Sequence, residues 1–359
     1  MSVPSSRLAR AAVTVLLLSP MPLLHADGGH GPRADSHAPI GVMGEHVHDA
    51  GELMFSYRYM RMKMAGNRIG QREVSPEFIV QKVPNRFAPP DTLRVVPTDM
   101  TMEMHMIGGM YGLTDTVTLM AMLPVLSNSM NHVTFRGASG TDRLGTFQTQ
   151  SSGIGDVGLS GLFRVHDDGA NQVVARLGLR APTGDVEDTD DVLTPMGTRP
   201  SLRLPYPMQV GTGTFAVNPG LTWRRYIGAA SVGINYDGLM QLGRNDEGYT
   251  QGDQHAISSW ATYGWAPWIS TSVRVRGETR ERVQGFDSEI AAPVQTAQPD
   301  FQGGDRAEIG LGLNLLGTRG ALDEHRLAVE YLLPFYQDLN GPQLETDSTL
   351  ILGYQYAWE

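Results

Sequence analysis

Methionines recur at alternate positions in three stretches of this sequence: Met60, Met62 and Met64, then Met100, Met102, Met104 and Met106, then Met120 and Met122. Thirteen of the 18 methionines fall between Met43 and Met130. A spacing of two puts each set on one face of an extended chain. Thioethers are soft, neutral ligands that favour Cu(I), and an imidazole beside them widens the choice to other copper states. In the first stretch Leu53, Phe55, Tyr57 and Tyr59 form the apolar phase, which sends Met60 and Met62 to the opposite side. In the third, Val117, Leu119, Ala121 and Leu123 do the same for Met120 and Met122. In the second, Glu103 and His105 hold the polar phase, so Met102, Met104 and Met106 are expected on the apolar side and His105 on the side of the other methionines. Met60, Met62, His105, Met120 and Met122 then form a constellation suited to a copper or silver ion. Plain packing by an adaptable side chain accounts for the same residues without a metal.

A second candidate lies nearer the N-terminus, where His30, His37, His46 and His48 occur within one short stretch. In extended chain His46-Val47-His48 points both rings to one side, an arrangement for borderline divalent metals, although a solvated tail uses the same residues. The run Asp185, Glu187, Asp188, Asp190 and Asp191 has the composition of a hard-cation loop or of a solvated surface. Hydrolytic and phosphate chemistry finds no support: there is no G-x-S-x-G, H-E-x-x-H or Walker sequence, and Gly211-Thr212-Gly213-Thr214 lacks the lysine of a phosphate loop. With no Cys, disulfides, thiolate sites and a lipoprotein anchor are excluded. A formal charge of −10 argues against nucleic acid as a partner.

The elements that position these residues follow a period of two. Val173, Ala175, Leu177 and Leu179 alternate with Gln172, Arg176 and Arg180. Ile309, Leu311, Leu313 and Leu315 alternate with Arg306, Glu308 and Asn314, and Leu327, Val329, Tyr331 and Leu333 with Arg326 and Glu330. Such segments are amphipathic strands. They are expected at 52–64, 98–111, 116–127, 154–166, 171–182, 212–226, 229–242, 256–266, 268–283, 304–316, 325–337 and 346–358, with long and short connections alternating until the last two. A soluble sandwich also gives alternating strands, but it does not predict alternating loop lengths. An antiparallel transmembrane β-barrel of about twelve strands does, with short periplasmic turns and long external loops. Tyr57, Tyr59, Trp223, Trp260, Trp265, Trp268, Tyr354 and Trp358 fall near strand ends, where interfacial girdles are expected. The polar phase, with Arg58, Arg164, Arg176, Arg180, Arg224, Arg274, Arg276, Arg306, Arg326 and Glu330, predicts a hydrated basic lumen that favours small anions or aromatic acids, or else an ion-paired interior that holds the barrel shut.

Arg7 and Arg10 ahead of an apolar run over residues 11–24 have the order of a secretory signal peptide, with cleavage expected after Ala26. Residues 27–50 then form a His-containing periplasmic segment or, through Ala38–Gly44, a plug, and residues 51–359 the barrel. The stretches at 37–62, 98–124, 153–165 (GIGDVGLSGLFRV), 177–185 (LGLRAPTGD) and 208–223 resemble the transporter-like outer-membrane family named for the meta-pathway of phenol degradation. The resemblance implies a Gram-negative outer-membrane barrel carrying small molecules, aromatic compounds among them, with no catalytic residues. Its expected partners are outer-membrane lipid, the solute and the barrel-assembly machinery. No cofactor is required; a copper or silver ion belongs to the alternative of a soft-metal-binding or metal-export-associated protein, and an outer-membrane hydrolase is the weaker third reading.

Overall fold

The computed structural model describes residues 33–358, so the expected signal segment 1–26 and His30 lie outside the described residues. Eleven strand elements follow one another around a closed antiparallel sheet. They are β1 Leu53–Gly70, β2 Val95–Thr114, β3 Val117–Phe135, β4 Val157–Asp167, β5 Asn171–Ala181, β6 Phe215–Ile227, β7 Ala230–Leu242, β8 Gln254–Ala266, β9 Ile269–Arg280, β10 Gly304–Leu316 and β11 His325–Trp358. Each pairs with its neighbours in sequence, and β11 pairs with β1 to close the ring. Closure removes the unpaired edges that an open sheet presents. Two further strands of the same sheet stand outside the ring: Arg72–Val74 pairs with the end of β1, and Arg143–Ile154 returns along β3 from Val125 to Phe135. β3 meets β4 only through Val117–Met122, below that returning strand.

The final connection differs from expectation. No loop separates 325–337 from 346–358, because β11 runs unbroken from His325 to Trp358. Its residues 326–339 pair with β10 and its residues 339–358 with β1. Polar side chains continue the ladder between the two halves: Thr346 donates its backbone N–H to Gln337 Oε1 at 2.9 Å, and Gln337 Nε2 donates to the Thr346 carbonyl at 3.0 Å.

The side-chain distribution is inverted relative to a water-soluble protein. Leu159, Leu177, Leu311 and Leu327 are 57–64% exposed on the outer face, whereas Arg176, Arg224, Arg274 and Arg326 are 3–4% exposed within. Short turns gather at one end, between β2 and β3, β4 and β5, β6 and β7, and β8 and β9; the segments 71–94, 136–156, 182–214 and 281–303 rise at the other. Trp260 is a correction to the expected girdle. It shares its phase with buried Ser258 and Thr262, faces the interior, and lies over Gly233, where an added Cβ would meet its ring at 2.3 Å.

Glycines on inner faces let charged pairs span three strands. Gly220 of β6 opposes both Arg176 of β5 and Asp237 of β7, and the guanidinium lies flat across it to reach the carboxylate. At Gly310 of β10, which opposes Arg274 of β9, it is the Glu330 carboxylate of β11 that lies over the glycine, and Arg274 Nε and Nη2 stand 2.7 Å and 3.0 Å from its two oxygens. Because Glu330 is fully buried, Arg274→Ala should cost about 3–5 kcal/mol by leaving a carboxylate without its cation. Gly310→Leu should destabilise as well by blocking the crossing. Urea unfolding of the barrel refolded into lipid vesicles checks both; losses below about 0.5 kcal/mol, the level of an ordinary surface change, would show that the pair contributes little.

Candidate functional site

The methionines line one wall of the interior. In the registers of β1 with β2 and of β2 with β3, Met54 opposes Met110, which opposes Met120; Met60 opposes Met104; Met62 opposes Met102; and Met64 opposes Met100, which opposes Met130. Directly paired residues point to the same side of a sheet. With Met106 and Met122, these make twelve methionines on the inner face of three consecutive strands. Met54, Met106, Met110, Met120 and Met122 pack together at the short-turn end with Val47, Leu162 and Val174. Met100 and Met130 pack with Met208 and Leu204 toward the long loops.

The expected phase of β2 is therefore corrected. Met102, Met104 and Met106 face inward, and His105 faces outward, away from Met60, Met62, Met120 and Met122. Register decides the matter: Tyr59 opposes His105 and Tyr57 opposes Ile107, so these residues share the outer side. The polar side chains are satisfied there by the aromatic hydroxyls, with Tyr57 Oη 2.7 Å from His105 Nδ1 and Tyr59 Oη donating to Glu103 at 2.5 Å. Ile107, Tyr111 and Leu113, all in the phase of His105, were the signal for this orientation within the sequence.

Residues 33–52 run across the interior at the short-turn end, held by the inward-facing groups. Ala34 N donates to the Pro267 carbonyl at 2.8 Å, and Gly51 N to the Gly112 carbonyl at 2.8 Å, fixing the two ends of the segment. Between them Arg224 donates to the carbonyl of Ser36, Arg326 to Ala38 at 2.7 Å, Arg176 to Met43 at 3.1 Å and Arg164 to Val47 at 3.2 Å. Gly41 N donates to Glu330 at 2.9 Å and His48 N to Thr118 Oγ1 at 2.8 Å. Apolar contacts complete the seat. Ile40 lies over Gly353, where a Cβ would meet it at 2.4 Å, and packs with Ala328, Leu332 and Ile351. Ala38 and Val42 pack on Trp260, and Val47 on the methionine cluster.

Glu45 is the charged centre of the segment. Its carboxylate is 2.9 Å from Arg224 Nη1, 3.0 Å from His46 Nδ1 and 3.5 Å from His37 Nδ1. Burial opposes its ionisation, yet the Arg224 guanidinium, aided by His46, holds it well below the usual carboxylate range. Burial, reinforced by Arg326, pushes the His37 imidazole down to about 3, and burial also lowers His46. His46 Nε2 stands 3.2 Å from His48 Nε2, and His48 Nδ1 2.9 Å from Glu52. Glu45 and Glu52 did not stand out in the sequence; their positions directly before His46 and four residues after His48 were the available signal.

Among the described residues, the remaining inner-face arginines make no hydrogen bond to the segment. Arg276 contacts Glu278 and, at 3.5 Å, Glu308. Arg58 and Arg306 each keep a buried Nε without a hydrogen-bond partner, and Arg180 shares their face on β5. The acidic run 185–191 does not converge on one point. Asp188 accepts from Val210 N and Asp190 from Gln150 N, while Glu187 reaches Arg203 at 3.4 Å.

No family model matches the chain, and no curated protein matches it. Among solved structures, an outer-membrane channel from Pseudomonas putida F1 superposes with a TM-score of 0.56 at 14% identity, covering 88% of this chain and 98% of that one. The β domain of the Bordetella autotransporter BrkA gives 0.44 at 9% identity over 86% and 100%. The toluene transporter TodX of P. putida gives 0.41 at 10% over 87% and 91%. The chain thus has the closed-barrel fold of the first structure.

Proposed function

We propose that this protein is an outer-membrane channel for small solutes, with residues 33–50 acting as a plug at the periplasmic, short-turn end. The two pairing halves of β11, counted separately, make twelve passes across the membrane. The observation that carries the reading is an apolar outer face around a guanidinium-lined interior, crossed by a segment held only through hydrogen bonds, ion pairs and a few buried side chains. Similarity in fold to an outer-membrane channel supports it. Release of the segment opens a bore whose unpaired arginines, Arg58 and Arg306, favour small anions, aromatic acids among them, over cations. Outer-membrane lipid, the solute and the assembly machinery are the partners this reading requires, and no catalytic step enters it.

Planar-bilayer conductance tests the proposal. The intact chain should conduct weakly, and deletion of residues 33–50 should raise conductance several-fold with anion preference. Gly353→Val, which drives a side chain into Ile40, should weaken seating by about 1–3 kcal/mol, the usual cost of overpacking, and raise the open fraction. Equal currents from all three would remove the plug.

Acid should favour opening. His37 and Glu45 are both lowered in the seated state, so each stabilises seating most fully above its ordinary value. For His37 that contribution fades as pH falls from 6.5 toward about 3. Glu45 adds a loss below 4.5. Current through the intact chain should therefore rise on acidification, and a flat profile between pH 7 and about pH 4, which spans the ordinary histidine value, would contradict this.

The inward methionine wall favours a second reading, passage or retention of a soft cation such as Cu(I) or Ag(I). Titrating Ag(I) into the refolded barrel, with the paired change Met120→Leu, Met122→Leu beside the parent, should lower uptake. Unchanged uptake would leave those thioethers as packing.

A further inference from the structure

His46 and His48 sit two apart in extended chain, with Val47 between them packed into the methionine cluster. This anchors the intervening residue and turns both rings to the same side. Each ring has one nitrogen against a carboxylate: His46 Nδ1 is 3.0 Å from Glu45, and His48 Nδ1 is 2.9 Å from Glu52. An ionised carboxylate only accepts, so each Nδ1 is the nitrogen placed to donate, which leaves Nε2 of each imidazole as the nitrogen open to a further partner. Those two Nε2 atoms face one another at 3.2 Å. Two lone pairs at that separation repel unless a positive centre lies between them.

The spacing matches a shared metal ion. With metal–nitrogen bonds of about 2.0–2.1 Å, two nitrogens this far apart subtend roughly 100° at the ion, close to a tetrahedral angle. A carboxylate behind each imidazole is the usual means of orienting a metal-bound histidine. Glu45 is itself fixed by Arg224. His37 stands beside the pair, its ring 5.1 Å from that of His46 and its buried Nδ1 without a hydrogen-bond partner. Ligand atoms of His37, Glu45 and His46 lie within 4.8 Å of one another.

We propose that His46 Nε2 and His48 Nε2 bind a borderline divalent cation of the Zn²⁺ or Cu²⁺ class, with Glu45 and Glu52 as positioning residues and His37 as the nearest further nitrogen. The site rests on the seated segment, and bound metal ties that segment to Glu52 at the foot of β1. Metal binding and transport are separable, since the first is read without any conductance.

The test uses the full chain refolded in detergent, stripped of metal and titrated with Zn²⁺ alone in competition with a chelator. Folding of every variant is confirmed by heat-modifiable gel mobility. One ion per barrel is expected. His46→Ala and His48→Ala should each abolish the tight site, and Glu52→Gln should weaken it about 10–100-fold, the usual effect of removing an orienting partner. His166→Ala, at the exposed, turn-proximal end of β4 on the same side of the barrel, should leave it unchanged. Folded parent that binds no Zn²⁺ would reduce the contact to a shared proton and overturn the proposal. So would binding that survives the double change His46→Ala, His48→Ala, or binding that needs His37 and Glu45 but not His48.

Discussion

Guanidinium groups enclosed by a closed wall require acceptors, and this requirement organises the molecule. The barrel turns its leucines outward and so commits its arginines to the interior, away from bulk water. Two devices supply acceptors to Arg164, Arg176, Arg224, Arg274 and Arg326. The Arg176–Asp237 and Arg274–Glu330 pairs each join alternate strands over a glycine, covered by the guanidinium at Gly220 and by the carboxylate at Gly310. Arg164, Arg176, Arg224 and Arg326 also reach backbone carbonyls of residues 36–47. A hydrogen bond to a charged donor contributes about 1.5–3 kcal/mol, more than a neutral one. The segment and the wall therefore complete each other: without the segment these donors need water, and without the donors its carbonyls are buried and unpaired.

The same constraint explains the placement of small residues. Gly220, Gly310 and Gly353 lie on inner faces where a guanidinium, a carboxylate or Ile40 occupies the space a side chain would fill. On the opposite wall, where arginines are sparse, methionines fill the volume between barrel and segment, and Val47 packs among them. Polar donors on one side and flexible thioethers on the other hold the segment by contacts that are individually modest.

Much of this was legible in the sequence, because a period of two separates inner from outer residues wherever one phase is plainly apolar. The β5, β10 and β11 stripes are of that kind. Periodicity misleads where both phases carry mixed residues. In β2 the polar pair Glu103 and His105 suggested an interior that the apolar residues further along the same phase contradict, and only the register with Tyr57 and Tyr59 resolves it. Trp260 has the residue type of an interfacial girdle but not the phase, since it alternates with Ile257, Ala261 and Tyr263 on the outer side. Residues 338–345 carry the loop-like Asn340, Gly341 and Pro342, yet Leu339 pairs with Gly304 of β10 and Gln343 and Leu344 with Arg68 and Asn67 of β1, so the sheet extends to this tip. The approach of His46 to His48, and the carboxylates behind them, depends on contacts no periodicity encodes.

The segment around Ile40 is seated against β11 in the interior of the barrel. The chain has no Cys, so the pair Ile40→Cys, Gly353→Cys gives an unambiguous cross-link. Ile40 lies where a side chain at position 353 begins, within reach of the roughly 3.5–4.5 Å between Cβ atoms that a disulfide spans. In the refolded protein under mild oxidation, the account predicts an intramolecular disulfide and protection of both thiols from maleimide. Two thiols that stay free and react at the rate of an exposed cysteine would contradict it.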